Sequence, residues 1–303
     1  MISKKNNMLS VKMLCGIAKV SRSGYYNWVA SEKNRNLKEE QDRKDFEIIL
    51  IAYNYKGYNK GARGIYMKLL HMDPPIIMNI KKIRRLMRKY KLFCPIRQAN
   101  PYRRMAKALK TNNVADNLLN REFKMHGPRT VLLTDITYLP YNGTKCYLST
   151  ILDAYTKEIL SYVLSESLEV DFVLETVNQL IDNHGISLTA ETLVHSDQGC
   201  HYTSYCFIQI LKDKELRQSM SRKGNCWDNA PQESFFGHMK DEIDISKCKT
   251  FNEVKTIIDD WIYYYNHERY QWDLAKLSPC EYYKYITTGI YPLKIGISKN
   301  PSS

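Results

Sequence analysis

Apolar positions recur along this chain with two different periods, and the switch from one to the other divides it. Up to about residue 95 the spacing is helical. Residues 9–28 (LSVKMLCGIAKVSRSGYYNW) read as a helix, a short turn and a second helix, with Leu14 and Ala18 sharing a face and Ser21 or Ser23 placed to cap the second helix. Residues 29–45 are polar and charged, as in an exposed helix or a linker. Further helices are predicted over about 43–56, 61–72 and 79–91. In the last of these, Ile80, Ile83, Met87 and Tyr90 form an apolar stripe, while Lys81, Lys82, Arg84, Arg85, Arg88, Lys89 and Lys91 cover the remaining surface. Residues 95–128, with Pro95, Pro101 and Pro128 among polar neighbours, read as a connector.

Beyond residue 129 short apolar runs take over. Strands are predicted at 129–139, ending near Asp135, and at 145–153, 158–165, 191–196 and 217–221. Helices are predicted at 169–183, 203–216, 229–243 and 251–267. The order is three strands, helix, strand, helix, strand, helix. In the last helix Phe251, Val254, Ile257, Ile258, Trp261, Ile262 and Tyr265 keep helical spacing and face a core, which leaves other tyrosines of the run free for base stacking.

Charge sharpens this division. Residues 1–130 hold 29 Lys/Arg against 9 Asp/Glu, whereas the remainder holds 16 against 23. A basic front half suits a polyanion, and an acidic back half suits cations or chemistry. The basic helix at 79–91 would also fit a membrane surface or a partner helix, but Arg97, Arg103, Arg104, Lys107 and Lys110 continue the positive run and favour nucleic acid. No apolar run near the N-terminus is long enough for a signal or a membrane span, and the eight cysteines include no C-x-x-C pair. Reduced thiols in a cytoplasmic protein are therefore expected. No G-x-x-x-x-G-K-[ST] occurs, so nothing supports an ATP-driven mechanism.

The candidate chemistry lies in three acids. Asp135 belongs to an apolar strand, Asp197 follows another in HSDQG, and Glu233 sits on a helix whose start Asn229 and Gln232 fit as a capping box. Three carboxylates gathered at one sheet edge repel one another unless cations lie among them, and hard oxygen ligands select Mg²⁺ or Mn²⁺. Two such ions about 4 Å apart can activate an attacking hydroxyl and stabilise a leaving oxygen in phosphoryl transfer. Each acid taken singly would pass for a turn residue or a solvated helix acid; their flanks argue otherwise. Lys240 falls on the same helix face as Glu233, placed to hold a phosphate or, alternatively, to pair with a surface acid. Gly237 leaves room for DNA or another helix. His195, Cys200 and His201 crowd Asp197 but lack a second ligand pair with zinc spacing, so His195 is read as packing beside the site. Asp153 is explained by the turn DAYTK and Asp228 by a helix start, while Arg222 and Asn225 are open DNA-contact candidates.

The segments TDITYLP around Asp135, HSDQGCHYTS around Asp197 and SMSRKGNCWDNAPQESFFGHMKDE around Glu233 resemble the insertion-sequence transposases made by translational frameshifting (OrfB-type), whose second frame encodes a retroviral-integrase-like core. The 35 residues between Asp197 and Glu233, and Lys240 seven beyond, match that family's spacing. YYNHERYQWDLAKLSPCEYY resembles its closing segment, and GARGIYMKLL with NIKKIRRLMRKYKL its helical DNA-binding segment, so the likeness spans about residues 9–285. The family usually carries Trp three residues before the first Asp; here Leu132 stands there, and repacking is expected.

The resemblance implies an α/β ribonuclease-H-like core at 129–285. It would follow a helix-turn-helix-type DNA-binding region at 1–94 and the basic connector at 95–128, and precede a C-terminal tail at 286–303. It further implies metal-dependent cleavage of double-stranded DNA at terminal inverted repeats. Strand transfer to target DNA would come next, by direct attack of a freed 3′-OH with no covalent protein–DNA intermediate. Asp135, Asp197 and Glu233 would hold two Mg²⁺ or Mn²⁺ ions, and Lys81, Lys82, Arg84, Arg85, Arg88 and Lys240 would touch DNA. Expected partners are a second copy of the chain and the product of an upstream first frame, in the cytoplasm near the nucleoid and without membrane. The alternatives are a non-catalytic DNA-binding regulator of transposition, and a nuclease for RNA–DNA hybrids that would share the metal chemistry but not the basic helical front.

Overall fold

The computed structural model describes residues 10–57, 60–95, 126–221 and 229–293. The helices at the front are α1 (Val11–Ile17), α2 (Arg22–Ala30), α3 (Glu32–Asn54), α4 (Ala62–Leu70) and α5 (Ile80–Lys89). Ser10 Oγ accepts the Met13 amide and Ser21 Oγ the Gly24 amide, so both short helices carry a side-chain N-cap. Residues 29–45, expected as either helix or linker, are mostly the first half of α3, a single 23-residue helix. A core of Ile49, Ala52, Ile65, Leu69, Met78, Ile83, Leu86 and Met87 binds α3, α4 and α5 together. The stripe expected on α5 is buried here at Ile83 and Met87, with Leu86 added.

The second unit is built on β1 (Val131–Tyr141), β2 (Thr144–Asp153), β3 (Ile159–Ser165), β4 (Leu193–Ser196) and β5 (Arg217–Met220). They form one sheet in the order β3-β2-β1-β4-β5. The β1–β2 and β2–β3 pairs are antiparallel; β1–β4 and β4–β5 are parallel. Helices α6 (Asp171–His184) and α7 (Tyr205–Asp213) cover one face, and α8 (Ala230–Glu242) and α9 (Phe251–His267) the other; α10 (Pro279–Thr288) comes after them.

Strand alternation assigns each β1 side chain to a face. Val131, Leu133, Leu139 and Tyr141 enter the core beneath α8 and α9, and Leu132 enters the core beneath α6 and α7. Asp135 shares the odd-numbered register and so faces α8. It lies in the middle of β1 rather than near its end as expected: the strand continues through Tyr141 because Asp135 to Tyr141 still pair with β2. Leu132 is fully buried where the resembled family places Trp, filling the α6–α7 side. Trp261, also fully buried, anchors the opposite side against Phe235 and Tyr265.

The two units touch at the end of α9. Glu268 accepts the Tyr55 hydroxyl at 2.6 Å and Lys56 Nζ at 2.8 Å. The His71 ring stacks on Tyr270 with centroids 3.5 Å apart, and His71 Nε2 lies 3.3 Å from Glu281. Asp153, expected as a turn residue, is fully buried; it accepts the Tyr155 amide and the Thr156 hydroxyl and pairs with Arg129 at 3.3 Å. Trp261→Ala is expected to destabilise the protein by about 3–5 kcal/mol through the cavity it leaves, measured as a lower urea midpoint at unchanged slope.

Candidate active site

Parallel pairing brings the first two acids together. β1 and β4 match Leu132 with Val194 and Leu133 with His195. Extending that ladder by two residues sets Asp197 beside Asp135, one strand spacing away. Asp197 comes directly after the last residue of β4, where the chain leaves the sheet. Its Oδ1 accepts the Gly199 amide at 2.8 Å, and a Cβ on Gly199 would come within 2.9 Å of that same oxygen. A side chain at 199 would press on the carboxylate where it folds back over its own turn. Gln198 Nε2 donates to the Ser221 carbonyl at 2.9 Å, tying the turn to the end of β5.

The third acid arrives on α8. The expected capping box does not form: Asn229 makes no side-chain cap bond, and Gln232 turns inward. Gln232 is fully buried and donates to the Thr150 hydroxyl, and Thr150 is the cross-strand partner of Asp135. Side chains of directly opposed residues share a face. The residue before Glu233 is thus docked on the strand neighbour of Asp135, and this fixes where the Glu233 turn lies. A buried amide finds its strongest compensation in such a hydrogen bond, and here it outweighs capping.

Electrostatics reports the outcome. Burial pushes the Asp135 carboxyl up to about 7, and the negative charges of Asp197 and Glu233 push the same way. The amide of Ile136, which donates to Asp135 Oδ1 at 2.8 Å, and the cation of Lys240 oppose the rise without cancelling it. Lys240 in turn is lowered by burial and partly restored by Asp135. Asp135, Asp197, Glu233 and Lys240 therefore form one electrostatic cluster. Among the described residues, no three His, Cys, Asp or Glu side chains stand close enough to enclose a single ion. The donor set is nonetheless that of a hard divalent cation: an ion bound here would offset the burial and the neighbouring charges that lift Asp135.

Beneath the acids lies Tyr202, a residue that motif reading passed over. Its buried hydroxyl accepts from Thr134 Oγ1 at 3.5 Å, and it is raised well above the usual phenol range by burial and by the charges of Asp135 and Asp197. His195 is buried with Nδ1 3.0 Å from the Ser219 hydroxyl. His201 Nε2 meets the Leu168 carbonyl at 2.7 Å, so its ring turns to the backbone at the start of α6. Gly237 has open space where a Cβ would stand. Arg222, Asn225, Cys226 and Asp228 lie outside the described residues.

The basic residues of α5 divide into two sets. Arg85 forms a two-pronged pair with Asp42 at 2.7 and 2.6 Å, and Lys82 pairs with Asp45 at 2.5 Å; both acids are on α3. Arg85 and Lys89 hold the Asp42 carboxyl well below the usual range. Lys81, Arg84 and Arg88 point outward with no ion pair among the described residues.

Comparison with known proteins agrees with this architecture. Two family models, both described as integrase core domains, match residues 125–226 and 214–279. A 31 kDa protein of insertion element IS600 from Shigella sonnei is 32% identical over 271 residues, covering 89% of this chain and 97% of that one. A transposase-like protein of Haemophilus influenzae is 36% identical over 211 residues, covering 68% and 94%. The catalytic core domain of BIV integrase is similar over 53% of this chain and 97% of that chain, with 15% identity and a TM-score of 0.42. The class defined by the sheet, its helices and the two family models is the integrase-type core. Within that class, the chain belongs to the insertion-element transposases.

The raised carboxyl has a measurable consequence. Asp135 ionises near pH ~4 in an unfolded chain and near 7 in the fold. The metal-free protein therefore loses stability as pH rises between these values. Asp135→Asn is expected to melt above the parent in EDTA at pH 8, with the gap narrowing at pH 5, and Mg²⁺ should raise the parent's melting temperature only. Equal melting at both pH values would contradict the cluster.

Proposed function

We propose that this transposase cleaves DNA at the terminal inverted repeats of its element and joins the freed 3′ ends to target DNA, with Asp135, Asp197 and Glu233 as ligands for a pair of Mg²⁺ or Mn²⁺ ions. The observation that carries this reading is the Asp135 carboxyl, lifted to about 7 beside two further acids in a site with one nearby lysine. When bound, the ions would supply Lewis-acid activation of the attacking hydroxyl and charge stabilisation of the leaving oxygen. The chain's own part is positioning. The β1–β4 ladder sets two carboxylates side by side, the Gln232–Thr150 bond sets α8 against them, and Lys240 faces the cluster to take a backbone phosphate.

In the same reading, residues 1–94 hold the terminal DNA and 129–285 carry out the chemistry. Lys81, Arg84 and Arg88 offer the outer face of α5 to phosphates, while Lys82 and Arg85 fix α5 on α3 and lend it positive potential. Cutting two ends together suits a complex of more than one copy, and an upstream first-frame product would add further DNA-binding surface. No helix among the described residues is long and apolar enough to cross a membrane.

Nicking and joining of a duplex bearing the element's end, with and without Mg²⁺, tests the proposal. Asp135→Asn, Asp197→Asn and Glu233→Gln should each reduce both reactions to background while DNA retention persists. Metal-independent DNA binding with no cleavage by the parent would favour a regulator instead. The triple change Lys81→Gln, Arg84→Gln, Arg88→Gln should lower the slope of log affinity against log salt by about 3, near 0.9 for each phosphate no longer neutralised.

A further inference from the structure

The helical unit meets the core along a cleft separate from both the carboxylate cluster and the outer face of α5. Helix α4 and the two residues before it form one wall, and the last residue of α8 with the end of α9 forms the other, around a volume of about 260 Å³. Lys60, Arg63, Lys68 and Arg269 line it, against only Glu242 and Glu268. Both acids are already engaged. Glu242 accepts two bonds from Arg269 at 3.0 and 2.8 Å, and Glu268 holds Lys56 and the Tyr55 hydroxyl. Among the described residues, Arg63 and Lys68 form no ion pair, although the charge of Glu268 acts on Lys68. Arg63 lies over the Trp272 ring at 5.3 Å and Lys68 over Tyr55 at 3.4 Å, contacts that attract a cation without neutralising it.

Burying these cations is costly as it stands. Burial lowers Lys68 and brings Lys60 down to about 8; Glu268 offsets part of this at Lys68 and Glu242 at Lys60, while Lys68 and Arg269 add like-charge repulsion at Lys60. An interface that needed only packing would gain nothing from gathering these cations; an anion among them would remove the penalty. The shape of the cleft agrees. Gly61 has φ −74° and ψ 171°, a conformation open to any residue, and a Cβ there would meet no atom within 4 Å. Neither backbone nor neighbours require glycine, and its lack of a side chain leaves the cleft open. The first-turn amides of α4 receive no side-chain cap, which adds donors of the polarity that an anion meets.

The geometry points to this cleft as a second phosphate-binding site, in which Lys60, Arg63 and Lys68 hold a backbone phosphate of a DNA strand along α4. The assignment rests on the DNA-acting reading above and adds a contact that spans the helical unit and the core. DNA bound here would link the unit that grips the element's end to the unit that cuts it.

Two variants separate shape from charge. Gly61→Leu fills the cleft with every charge in place, and Lys68→Gln removes one of its cations. The full chain is titrated with a duplex carrying the element's end across a salt series, monitored by fluorescence anisotropy, with Lys212→Gln on α7 as control. Both cleft variants should melt as the parent does and bind roughly tenfold more weakly, the loss of one charge-assisted hydrogen bond. Lys68→Gln should lower the salt slope by about 1, and the control should not. If Lys68→Gln fails to fold, Gly61→Leu decides alone. Parental affinity and slope in the folded variants overturn the site, provided the parent binds DNA. A parent that binds no DNA overturns the DNA-acting reading itself. Inorganic phosphate distinguishes the source: if it raises the melting temperature of the parent and not of Gly61→Leu, while DNA affinity is unchanged in both variants, the ligand is free phosphate and the DNA assignment falls.

Discussion

Like charges held side by side dominate this molecule. Two parallel strands bring Asp135 and Asp197 within one strand spacing, and α8 adds Glu233 from above. Left in water, three such groups would separate. Here the β1–β4 ladder, the Gln232–Thr150 bond and the folded-back turn at Gly199 keep them together. Each of these restraints draws on elements far apart along the chain. The hydrophobic cores on the two faces of the sheet therefore do more than hold the fold; they oppose the repulsion at its edge. Burial and the neighbouring charges together lift the Asp135 carboxyl, and the single lysine in the cluster does not cancel the rise. On the proposed reading, a small, hard cation would offset what the lysine leaves unbalanced.

The helical unit presents the opposite condition. Its cations exceed its acids, and the structure distributes them by task. Arg85, Lys82 and Lys89 satisfy Asp42, Asp45 and Glu39 of α3 and so build the unit. Lys81, Arg84 and Arg88 are left facing outward, and a further group gathers where the unit meets α8 and α9. Positive surface and negative cluster belong to different cores.

How much of this was legible in the sequence depends on the range of the interactions involved. Local periodicity revealed α5, α6 and α9, and alternation revealed the strands, because in each the pattern and its cause lie within a few residues. The acids were found through their flanking motifs, since spacing alone would not have distinguished them from 32 acidic residues. Non-local pairings were hidden. Gln232 reads as half of a capping box until Thr150, 82 residues earlier, is known to lie beside it. The length of β1 beyond Asp135 depends on its ladder with β2. Lys82 and Arg85 look like DNA contacts in a helical wheel, and only the packing of α3 on α5 reveals their ion pairs. The charges on Arg63, Lys68 and Arg269 gave no local sign of convergence, because their meeting is set by how the two units dock.

The most direct test is diffraction from crystals of the protein bound to its terminal DNA and grown with Mn²⁺, using the anomalous signal of the metal. The account predicts manganese peaks within coordination distance of carboxylate oxygens from Asp135, Asp197 and Glu233 together, beside the scissile phosphate. Manganese bound elsewhere, with any one of the three side chains turned away from it, would contradict the account.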